Sequence, residues 1–206
     1  MGKFYVSLCS VVIAAFALGS VAMGGSAWES VKQAEGISVF TKEVPGSDFD
    51  EFKGVAVIDA PMEVVNNVLD DVPALATWMP NCIVSKLISK KANVITIYYE
   101  LKTPWPLSNR DVVFYSKVIK KKDKIFRPIY ATTHPAYPPK KGKVRMTDMV
   151  GKWVLTRKGN KTHAVYQIKS DPAGNIPAGI ANMGSKELPF QALQGLRRMV
   201  KKPKYQ

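Results

Sequence analysis

The sequence predicts an α+β domain, with one antiparallel sheet followed by a C-terminal helix that must lie across it to bury an apolar stripe. Three observations carry this. Segments at 82–88, 94–101 and 110–120 alternate apolar and polar residues as a meander would, and two longer ones follow at about 144–157 and 162–170. The one long helical pattern comes last: Ile176, Ile180, Met183, Phe190, Leu193 and Leu196 share a face between Ile176 and Val200. No internal repeat and no linker divides the chain.

The elements follow in order. Residues 1–27 begin with Lys3, run through Leu8 to Val21 almost without a polar side chain, and end in Gly24-Gly25-Ser26-Ala27. This is the pattern of a signal peptide cleaved before Trp28, which predicts an exported, periplasmic protein; an uncleaved anchor is the competing reading. Trp28 to Gln33 is a short amphipathic piece, Ile37 to Thr41 and Phe52 to Ala60 read as strands, and Pro45-Gly46-Ser47 is a turn between them. Pro61 opens a helix carrying Val64, Val65, Val68 and Leu69, and a second short helix runs from about Val72 to Trp78. After the meander, lysines 120, 121, 122 and 124 mark an exposed turn. From Ile125 to Lys143 the prolines at 128, 135, 138 and 139 argue against any regular core element. Gly159-Asn160 turns the last two strands, and in the second of these Ala164, Tyr166 and Ile168 share a face opposite His163. Pro189 is expected to kink the terminal helix.

Composition bounds the function. Of 206 residues, 46% are hydrophobic and 22% charged, which fits one globular domain and not a disordered or multi-span membrane chain. The net charge of +14 attracts polyanions; export would remove nucleic acid and leave an anionic membrane surface. Cys9 lies in the leader, so Cys82 stands alone beyond it, without a disulfide partner and with no His nearby to activate it. His134 has no Asp, Cys or second His near it in sequence, so neither a metal nor a cofactor is expected. No Gly-rich phosphate loop, zinc spacing or Gly-x-Ser-x-Gly occurs.

The stretch from Tyr98 to Asp111 is the chemical centre. Glu100 shares a side with Val94, Thr96 and Tyr98, and Arg110 with Val112, Phe114, Ser116 and Val118. If the two segments form a hairpin, the acid and the arginine can lie on one apolar face as a partly desolvated pair; otherwise both sit at strand ends in water. The aromatic strand pair Tyr98, Tyr99, Phe114 and Tyr115 suits a sheet lining a cavity, and a dense core without one is the alternative.

Glu100, Pro104 to Pro106, Ser108 and Arg110-Asp111 resemble the central signature of START domains, the helix-grip lipid-binding modules. Other pieces match in order: Trp28 with Gly36-Ile37, Val68-Leu69-Asp70 before Trp78, His134-Pro135, Val144-Arg145, Trp153, and Asp171-Pro172 with Gly174. The resemblance covers residues 28–206 and implies a curved antiparallel sheet gripping a long C-terminal helix around an internal lipid cavity. It implies that Glu100 and Arg110 form a polar pair in that cavity, with Tyr98, Val112, Phe114, Tyr166, Ile180 and Met183 as ligand-binding neighbours and Tyr137 in a loop at the mouth. Asp111 alternates to the opposite side, where a structural role is expected. The implied function is non-catalytic: one lipid or sterol-like ligand carried between membranes by a monomer, with transient docking on anionic bilayers and no nucleic acid. Two other readings stay open, a helix-grip cyclase or hydrolase with Glu100 or Asp111 as base, and a basic adaptor without a ligand.

Overall fold

The computed structural model describes residues 27–177, 179, 181, 182 and 186–206. The leader call therefore lies almost wholly outside the described residues, as do Ile180 and Met183.

Strands β1 (Glu29–Ala34), β2 (Ile37–Lys42) and β3 (Glu51–Ile58) form the first antiparallel unit. In β2 and β3 the alternation is regular: in β3 Phe52, Gly54, Ala56 and Ile58 point inward. Helices α1 (Met62–Asp70) and α2 (Val72–Leu75) follow, the second capped by the Asp71 carboxylate, which accepts from the Ala74 N–H. Then come β4 (Cys82–Lys91), β5 (Val94–Leu101), β6 (Asn109–Lys117), β7 (Ile119–Lys121), β8 (Lys124–Thr132), β9 (Lys143–Arg145), β10 (Met149–Lys158), β11 (Lys161–Ser170) and the terminal helix α3 (Leu188–Met199). One sheet holds all the strands in the order β1-β2-β3-β11-β10-β8-β6-β5-β4, with β7 on β8 and β9 on β6. It curves around α3, whose Leu193 and Leu196 are fully buried together with Val65, Val68, Ile58 and Leu155. No helix among the described residues is long and apolar enough to cross a membrane.

Three expectations about elements are corrected. The proline-rich stretch does begin with a core strand, β8, which contains Pro128. That residue falls where β6 gives way to β7: Ser116 pairs with Ile129 and Ile119 with Phe126, so the missing N–H breaks no continuous ladder. The single strand expected at 144–157 is two, because β9 pairs in parallel with β6 before the chain turns into β10. The Met146 N–H, donated to the Asp111 carbonyl at 2.8 Å, marks that crossing. Finally, Pro189 does not kink a long helix. Lys186 and Glu187 form a turn, and α3 begins at Leu188 with the proline in its first turn, where no intrahelical donor is lost.

Helix α3 is seated on β3 at Gly54. A Cβ there would come within 2.8 Å of Leu193 Cδ1 and 2.9 Å of Pro189 Cβ, so only glycine allows this approach. A second close approach is at Gly195, which lies against the Trp78 backbone.

Candidate functional site

A cavity of about 130 Å³ lies under the inner face of the sheet, between β3, β5, β6, β8, β10 and β11 on one side and α1, α2 and the start of α3 on the other. Its walls are apolar: Ile97, Tyr99 and Leu101 from β5, Val112 and Phe114 from β6, and Trp153 from β10 are among them. Phe49, Asp50, Asn182 and Leu188 line it where loops gather at one end of the sheet. Toward the opposite end it is lined by Leu69, Ser116 and Arg127.

The β5–β6 hairpin forms as expected, but its register separates the two charges that were expected to meet. Leu101 faces Arg110 and Glu100 faces Asp111, so alternation sends Arg110 to the inner face and Glu100 to the outer one. Asn109 holds this register, accepting from the Thr103 N–H at 3.2 Å and donating to Glu100 Oε1 at 3.4 Å. The expected pair Glu100 with Arg110 does not exist. Glu100 instead takes a salt bridge from Lys143. Arg110, 5% exposed, donates to the carbonyls of Ser108, Pro172 and Ala173 at 2.6, 3.2 and 3.1 Å, and so pins the segment after β11 to the start of β6.

The buried ion pair of the outer face is Asp111 with Arg145. Arg145 grips the carboxylate with two bonds of 2.8 Å, from Nε to Oδ1 and from Nη2 to Oδ2, and the Tyr98 hydroxyl donates to Oδ2 at 3.2 Å. Asp111 is fully buried. Burial alone would raise its carboxyl, yet the Arg145 and Tyr98 hydrogen bonds prevail and hold it below the ordinary range. Tyr137 stacks on Tyr98 with ring centroids 5.0 Å apart, and its carbonyl accepts from Arg145.

Of the expected ligand residues, then, Val112, Phe114 and Tyr166 line the cavity. Tyr98, Glu100 and Tyr137 are corrected to the outer face, and Arg110 to a staple at the sheet end. Ile180 and Met183 lie outside the described residues.

Two polar residues that line the cavity, Arg127 and Ser116, were given no role by sequence reasoning. Arg127, 3% exposed, donates from Nη1 to Asp70 Oδ1 at 2.6 Å and Asn66 Oδ1 at 2.9 Å, tying β8 to the last turn of α1. Burial lowers its pKa, with Asp70 opposing. A charged residue alternating with Ile125 and Ile129 was the available signal. Ser116 is 4% exposed and its Oγ has no hydrogen-bond partner among the described residues. Tyr166, stacked on Trp153 at 4.3 Å, and Tyr99 both have phenols raised by burial. Cys82, the one cysteine among the described residues, is buried, donates to the Val84 carbonyl, and is pushed up to about 12 by that burial. Among the described residues no group of three or more His, Cys, Asp and Glu side chains is placed to hold a metal.

Comparison with known proteins gives one family. The START domain model matches residues 18–205. An uncharacterized Pseudomonas aeruginosa protein is 32% identical over 85% of this chain and 87% of its own length. Mouse phosphatidylcholine transfer protein is 27% identical over 80% of this chain and 79% of its own. The structure of a STAR-related lipid transfer protein fragment from Xanthomonas axonopodis superposes with a TM-score of 0.79 at 35% identity, covering 85% of this chain and 99% of that one.

Proposed function

The chain belongs to the START domain family, and on that premise we propose that it takes one lipid-like hydrophobic molecule into the cavity beneath the sheet and carries it between membranes without turning it over. The carrying observation is the cavity itself: a fold of this size normally closes its core, whereas here aromatic and aliphatic side chains from six strands surround a void. The lipid-transfer names borne by relatives support the same reading. At about 130 Å³ the cavity has room for little more than a benzene-sized group, so an entering chain has to widen it. Glu100 and Asp111, the candidate bases of the alternative enzyme reading, stand on the outer face, which favours the carrier reading.

The test is mass spectrometry of a solvent extract of the purified protein. About one bound lipid per chain is the expected result; an empty protein, or a lipid chemically altered on incubation, would overturn the reading. Docking on anionic bilayers belongs to the same proposal, supported by the net charge of +14 and by Trp105, which stands 93% exposed between two prolines in the β5–β6 loop.

A further inference from the structure

The inner end of the cavity is built from one cross-strand row and its diagonal neighbour. Tyr166 faces Trp153 and Trp153 faces Arg127, across β11, β10 and β8. Ser116 on β6 faces Ile129, two residues along from Arg127 and on the same side. Every polar group in this end is a donor, or has a proton to give. The bonds from Arg127 to protein run from Nη1, to Asn66 and Asp70, and from Nη2, to the Leu69 carbonyl. They leave Nε without an acceptor among the described residues. The Tyr166 and Tyr99 phenols keep their protons, since burial raises both. Ser116 presents a hydroxyl that nothing answers, in a position where alanine would fold at lower cost. Asp70, the nearest carboxylate, is already held by Arg127.

A surplus of buried donors selects a ligand group that only accepts. A hydroxyl head, as on a sterol or an alcohol, brings a donor of its own, whereas a carboxylate offers two oxygens and about four lone-pair sites. Any acyl chain has to widen the void, and a single chain has to widen it far less than a two-chain phospholipid. We propose that the inner end receives the carboxylate of a single-chain fatty acid, head first, with Ser116 Oγ and Arg127 Nε as its donors. The acyl chain then runs along Ile97, Val112 and Phe114 toward the loop end at Phe49 and Leu188. This rests on the reading of the cavity as a lipid site.

The experiment is a titration of the full purified chain with laurate, dodecanol, phosphatidylcholine and cholesterol, each displacing a fluorescent fatty acid. Laurate is expected to bind more tightly than dodecanol. Ser116→Ala, which removes only an unpartnered hydroxyl and is expected to melt at or above the wild-type temperature, weakens laurate about tenfold or more and dodecanol less than threefold. The double variant Asp70→Leu with Arg127→Met, which leaves no buried charge alone, is expected to lose the preference for laurate. Equal laurate binding by wild type and Ser116→Ala overturns the proposal. Binding of phosphatidylcholine or cholesterol without laurate overturns it too but leaves the carrier reading standing. If the probe itself does not bind and the solvent extract holds no lipid, the carrier reading falls with it.

Discussion

Asp111 carries a large risk to stability, because it is fully buried and its partner Arg145 is itself only 9% exposed. Removing the carboxylate in Asp111→Ala strands a buried guanidinium, which is expected to cost roughly 3–5 kcal/mol. The pH dependence has a definite sign. A carboxyl held below its unfolded value, about 3.9, contributes fully above that value and loses its contribution as pH falls through the folded one. Urea unfolding between about pH 5 and 2 is therefore expected to show an acid-side decline in the wild type that is shallower in Asp111→Asn. An equal decline in both would mean that Arg145 does not hold the carboxyl down. This residue was half legible: its place on the face opposite Arg110 followed from alternation, but Arg145 as its partner did not, since that contact depends on a parallel pairing between β6 and β9 that no short-range signal announces.

Helix α3 has a geometry that its own sequence does not state. The apolar positions Phe190, Leu193 and Leu196 were readable at three-residue steps, yet the start of the helix was misplaced, because Pro189 has two meanings, a break inside a helix or a good first-turn residue. The deciding contact is on another element. Gly54 lets the first turn of α3 touch β3, so Gly54→Val is expected to push Leu193 and Pro189 outward and destabilise the fold by about 1–3 kcal/mol. Loss of helical protection at 188–199 in hydrogen exchange, ahead of the sheet, is the expected signature; uniform loss would place the strain elsewhere. The same dependence on partners explains Pro128, tolerated only because the β6 ladder stops beside it.

For the whole molecule, the α+β class, the sheet and the cavity wall were legible because long alternating strands and one terminal apolar stripe leave few ways to bury both. The inner polar end was not, since Arg127 and Ser116 meet only through the order of β6, β8 and β10. The molecular surface adds a further prediction. In vesicle flotation the protein is expected to bind anionic bilayers at low salt and release as salt rises, each nearby Lys or Arg being worth about 1 kcal/mol. Trp105→Ala is expected to weaken binding while leaving the salt dependence unchanged, as suits an aromatic side chain at the headgroup level. Binding indifferent to both salt and lipid charge would end the docking proposal.

The pairing of β3 with β11 also sets a timetable. Thr162 reaches back to the Ala60 carbonyl across 102 residues of chain, and closing a loop of that length costs roughly 4 kcal/mol of entropy before any contact repays it. A chain emerging from its N-terminus therefore holds β3 with one edge open, its Phe52, Val55 and Val57 unshielded, until almost the last strand is made. Such a topology folds late and slowly, and the interval before closure is when this protein is most exposed to wrong partners, including the open edges of its own copies.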